Sequence, residues 1–134
     1  KETMISLDKL DKCITTKLDE LKLELKDLIL VGFSQGTMMS IQYAIRQKVN
    51  IAGVLGYSGK IYDYDLFDKE LKSKPRIKLF HGNGDEIVPI EEMYKSNDFL
   101  EQKGFVVDYH VYEGLRHSIS PDGLSEGLNF IKSL

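Results

Sequence analysis

Gly32-Phe33-Ser34-Gln35-Gly36 is a G-x-S-x-G segment. A serine in such a segment can act as a nucleophile if it stands on a sharp turn between a strand and a helix. The turn lifts its hydroxyl clear of the backbone. Flanking glycines let strand and helix approach where side chains would collide. The N–H of Gln35, at the helix start, then points toward a developing oxyanion, aided by the helix dipole. Taken alone, the segment is also an ordinary glycine-rich turn.

A serine hydroxyl is a poor nucleophile without a base, and the base needs a carboxylate to orient it. After a nucleophile of this kind the acid comes next in the chain, then the histidine. His81-Gly82-Asn83-Gly84-Asp85 closes a predicted strand, so Asp85 falls in the loop just beyond it. Asn-Gly-Asp is equally common turn chemistry. The chain has three histidines. His81 precedes Asp85, ends a strand and reads as structural. His110 lies inside a strand. His117, in Gly114-Leu115-Arg116-His117-Ser118, follows that strand and precedes the last helix. Only His117 has the position a base needs, although in isolation it could equally be a surface-loop histidine. The joint pattern is the specific signal: three chemically required residues, in the required order, each just after a different strand.

The elements that must position them follow from periodicity. Leu7, Leu10, Ile14, Leu18 and Leu21 recur at steps of three and four, which predicts an amphipathic helix over Ser6 to Leu23, with Ser6 or Thr3 placed to cap it. Leu28 to Phe33 is a short apolar run without polar alternation, the pattern of a strand buried on both faces. Gln35 to Lys48 reads as a helix and Ile51 to Tyr57 as a second buried strand. Lys60 to Ser73 is polar and aromatic, a loop with a short helix; its Tyr62 and Tyr64 read as solvated. Arg76 to His81 is a third strand and Ile90 to Lys103 a helix. Val106 to Tyr112 alternates more, as an edge strand does. Ser120-Pro121 opens a final helix running to Ser133. Strands alternating with helices predict an α/β fold with a parallel sheet, in a single domain.

Composition narrows the classes. The 134 residues carry 18 Lys and Arg against 21 Asp and Glu, a net charge of −3 that disfavours a nucleic-acid binder. Seven Tyr, six Phe and many aliphatics argue against disorder. Cys13 is the only cysteine, so no disulfide scaffold exists, and this fits a cytoplasmic protein. No run approaches the ~20 apolar residues of a membrane-spanning helix. Gly32 and Gly36 do not form the G-x-G-x-x-G of a dinucleotide-binding turn.

Three blocks, GFSQG at 32–36, HGNGDEIVP at 81–89 and HSI at 117–119, resemble the phospholipase/carboxylesterase family of α/β-hydrolases, which includes acyl-protein thioesterases. The resemblance runs over nearly the whole chain from the first helix onward. It implies Ser34 as nucleophile, Asp85 as acid and His117 as base. It implies hydrolysis of small esters or thioesters, with neither metal nor organic cofactor. A serine at position 34, rather than a cysteine, sets the chain apart from dienelactone hydrolases. Two positions depart from the family pattern. Thr37 stands where a smaller residue is common, and Arg116 where glycine is usual; Arg116 is expected to point to solvent.

The larger departure is the first half of the family's sheet, which has no counterpart before the first helix. That half supplies the second oxyanion donor, and losing one such donor costs about a hundred- to a thousandfold in turnover. Its absence would also leave Leu28–Phe33 as an exposed apolar edge, a surface that invites pairing with another chain. Three expectations follow: a piece of a longer protein, an impaired remnant that folds as an oligomer or binding module, or a homodimer through the edge strand Leu28–Phe33.

Overall fold

Gly53–Tyr57 (β2) is buried at every position, because it has a strand on each side and helices on both faces. The computed structural model describes residues 2–134. Around β2 run α1 (Glu2–Leu21), a 3-10 turn (Leu25–Asp27), β1 (Ile29–Phe33), α2 (Gln35–Ile45), α3 (Tyr64–Glu70), β3 (Ile77–Gly82), α4 (Ile90–Gln102), β4 (Val107–Tyr112) and α5 (Pro121–Lys132). The four strands lie in the order β1-β2-β3-β4, and every pair is parallel. Parallel register brings Phe33, Tyr57 and Phe80 level, so the loops after β1, β2 and β3 emerge at one edge. This is the expected α/β architecture.

Strand alternation divides the core in two. Val54, Ile77 and Leu79 face α2, α3 and α4 and pack with Ile41, Ile45, Phe67, Met93 and Leu100. Leu55, Tyr57 and Phe80 face α5 and pack with Phe130. α5 approaches closely because Gly123 and Gly127 present no side chain to the Tyr57 ring, whose hydroxyl donates to the Gly123 carbonyl at 2.8 Å. Ser120 caps α5 by accepting from the Gly123 N–H at 3.0 Å, with Pro121 in its first turn. α1 packs outside α2, with Leu7 and Ile14 against Tyr43.

Four local readings are corrected. β1 is an edge strand with β2 on one side only, and Val31 is 58% exposed, so the Leu28–Phe33 run is not buried on both faces. α1 already begins at Glu2, which places Thr3 and Ser6 inside it rather than at its cap. α2 stops at Ile45 instead of Lys48, since Lys72 and Ser73 take its last carbonyls: the Lys72 N–H donates to Ile45 at 2.7 Å and Ser73 Oγ to Ala44 at 2.9 Å. Tyr64 opens α3 and is partly buried, stacked edge-on against Phe99, rather than solvated.

Candidate active site

β1 ends at Phe33 and α2 starts at Gln35, so Ser34 makes the whole turn. Its φ of 56° and ψ of −115° are unusual for a residue with a Cβ. Backbone hydrogen bonds on both sides hold it there. The Ser34 N–H donates to the Tyr57 carbonyl at 2.8 Å, and the Ser34 carbonyl accepts from the Thr37 N–H at 3.0 Å. A Cβ on Gly32 would lie 2.5 Å from the Gly36 carbonyl, so Gly32 is required by close approach. Gly36 is not: a Cβ there would meet nothing within 4 Å. Gln35 is the first residue of α2, so its N–H is among those without an acceptor inside the helix.

Thr37 fits because its neighbours are small. Its hydroxyl donates at 2.8 Å to the same Tyr57 carbonyl that holds Ser34. Its methyl occupies the space that a Cβ on Gly56 or Gly59 would need. Thus β2 fixes the turn after β1 through one carbonyl.

Asp85 follows β3 and is 6% exposed. One carboxylate oxygen, Oδ1, accepts from the Ile87 N–H at 2.9 Å and the Val88 N–H at 2.8 Å. The other, Oδ2, is 2.8 Å from His117 Nδ1. Burial pushes the carboxyl pKa up, but the His117 and backbone hydrogen bonds, with the charge of His117, outweigh it and hold the group below its ordinary value. His117 Nε2 in turn is 2.9 Å from Ser34 Oγ. With Asp85 ionised, Nδ1–H donates to it, which leaves the Nε2 lone pair facing the Ser34 hydroxyl.

The loop after β4 is clasped by the loop after β3. The Gly114 N–H donates to Asn83 Oδ1 at 2.7 Å, and the Gly84 N–H donates to the Leu115 carbonyl at 2.9 Å. Ser58 holds the far side: wholly buried, with φ of 52°, it donates from Oγ to the Ser118 carbonyl at 3.3 Å. The Phe33 ring lies against His117, centroids 4.9 Å apart.

The structure therefore brings Ser34, Asp85 and His117 into one hydrogen-bonded line, with Gln35 at its start. His110 stays out of it, exposed on β4 beside Tyr112. Arg116 is exposed, as expected. His81 is buried near Asp85. Tyr57, Ser58 and Gly59 are buried, and Tyr57 and Ser58 hold the loops after β1 and β4. Sequence reasoning missed the Ser58 clasp, the Ile87 and Val88 donors and the Phe33 contact. Ser58 carried the one usable signal, since it follows a strand at the same edge. Among the described residues, no group of three or more His, Cys, Asp or Glu is placed to hold a metal ion.

Residues 1–134 match the phospholipase/carboxylesterase family profile. Acyl-protein thioesterase 1 of Saccharomyces cerevisiae is 30% identical over 135 residues, covering 96% of this chain and 59% of the yeast protein. Its namesake from Yarrowia lipolytica is 32% identical over 110 residues, covering 78% of this chain and 48% of its own. Among solved structures, esterase PE8 superimposes with a TM-score of 0.94 at 29% identity, over 98% of this chain and 61% of its own. SOBER1 of Arabidopsis thaliana shares the fold, with a TM-score of 0.88 at 22% identity over 98% of this chain and 63% of its own. The chain thus spans about three fifths of the yeast relative and of esterase PE8. On the match along its entire length, the chain belongs to the phospholipase/carboxylesterase family.

Proposed function

We propose that the chain carries the catalytic residues of a serine hydrolase acting on small carboxylic esters or thioesters. The observation that carries this reading is the line from Asp85 through His117 to Ser34, at 2.8 and 2.9 Å. His117 Nε2 takes the Ser34 proton as Oγ attacks the substrate carbonyl carbon. The Gln35 N–H donates to the oxyanion. Collapse of the tetrahedral intermediate expels the alcohol or thiol, which leaves with the proton from His117, and an acyl-Ser34 ester remains. Water then attacks that ester and gives a proton to His117. The acid departs and Ser34 recovers its hydrogen. Asp85 stays ionised throughout and stabilises the imidazolium. Relatives named esterase and acyl-protein thioesterase favour this reading over an impaired remnant.

The test is intact mass before and after a fluorophosphonate probe. One adduct on the parent and none on Ser34→Ala is the expected result. A folded parent that takes no adduct overturns the reading.

The open side of β1 supports a second proposal. It pairs antiparallel with β1 of a second copy across a two-fold axis, joining two sheets into one. Among the described residues no helix is long and apolar enough to cross a membrane.

A further inference from the structure

We propose that His81 is a positioning residue of this site, holding the Asp85 carboxylate at the angle at which it meets His117. The proposal rests on the hydrolase reading above. Alternation along β3 places His81 on the same face as Ile77 and Leu79, beneath the loop that leads into α4. Its ring is 1% exposed. Nε2 lies 2.7 Å from the Val88 carbonyl and 3.4 Å from Asp85 Oδ2. Nε2–H therefore donates to Val88 and leans on the carboxylate.

Val88 is the link. Its N–H donates to Asp85 Oδ1 and its carbonyl accepts from His81, so it is pinned at both ends. One end is a residue fixed in the sheet; the other is the acid. Without a donor at position 81 the buried Val88 carbonyl loses its partner, a situation a loop relieves by turning toward water. That turn withdraws the Val88 and Ile87 N–H groups from Oδ1. The carboxylate is then free to rotate about its Cβ–Cγ bond, and Oδ2 leaves His117.

His81 Nδ1 is buried and has no hydrogen-bond partner. Packing alone is better served there by an apolar ring, since a bare buried nitrogen costs free energy. What a histidine supplies, and a phenylalanine does not, is the Nε2 donor. The structural histidine read from sequence is thus only half satisfied, and the satisfied half points at the acid.

Two variants separate positioning from packing. His81→Phe keeps the ring and removes the donor. His81→Gln keeps an amide N–H at a similar reach. Three quantities are read on folded protein: the low-field Nδ1–H proton resonance of His117, the carbon-13 titration of the Asp85 carboxyl, and the rate of fluorophosphonate labelling. In His81→Phe the resonance is expected to disappear, the Asp85 titration to move up toward an ordinary carboxylate, and labelling to slow by about a hundredfold. His81→Gln is expected to keep all three near the parent. An unchanged resonance and titration in His81→Phe overturns the proposal, whatever the stability change. A parent that fails to label while these two quantities still respond removes the hydrolase reading and leaves the positioning intact. If His81→Phe does not fold, the nitrogen-15 tautomer of His81 in the parent decides. Protonation at Nε2 supports the proposal, and protonation at Nδ1 alone overturns it.

Discussion

Asp85 is where burial and hydrogen bonding pull in opposite directions. Burial favours the neutral acid, while the His117 contact and two backbone N–H groups favour the anion and prevail. A carboxyl held below its unfolded value adds stability that is fully present above that unfolded value, near pH 4, and is lost as pH falls through the lower folded value. Asp85→Asn removes this dependence, so its acid unfolding curve is expected to be shallower than the parent's. The same variant is expected to lose labelling by about 10³- to 10⁴-fold, because an amide nitrogen facing Nδ1 favours the tautomer with the proton on Nε2. Urea melts across pH, run beside labelling rates, check both. Parallel acid curves would mean that Asp85 is not held below its unfolded value.

At the scale of elements, the site is an alignment of strand ends. Gly82, the last residue of β3, shows how tight it is: a Cβ there would strike the Leu115 carbonyl. Gly82→Ala is expected to push the loop after β4 outward and draw His117 from Asp85, with labelling down about a hundredfold and stability down about 1–3 kcal/mol. Labelling at the parent rate would show that the loop yields elsewhere. Much of this alignment was legible in the sequence. Ser34, Asp85 and His117 could be chosen because each follows a strand, and strands announce themselves by local pattern. What stayed hidden depends on distant neighbours. An apolar run does not say who covers it, so β1 read as fully buried although Val31 and Phe33 face outward. Gly36 resembled a packing glycine because its motif partner Gly32 is one. Ser58 reaches Ser118 across 60 residues, and the end of α2 is set by residues 72 and 73; neither leaves a local trace.

The whole molecule has two unlike edges. β4 carries Asp108, Tyr109 and His110 exposed, two of them polar or charged, which discourages pairing. β1 carries Val31 at 58% and Phe33 at 39% exposure. Lys78 pairs with Glu126 of α5 at 3.9 Å. Leu124 and Leu128 of α5 are also more than half exposed. Light scattering is expected to give about twice the chain mass of 15.3 kDa, and Val31→Lys to return it to a single chain. A monomeric parent at working concentration removes the dimer. The same topology has a consequence during synthesis. Ser34 and His117 are 83 residues apart, and Asp85 lies between them. On the proposed reading, a ribosome exposes Ser34 long before His117 exists, so the three side chains cannot meet until the segment after β4 has been made.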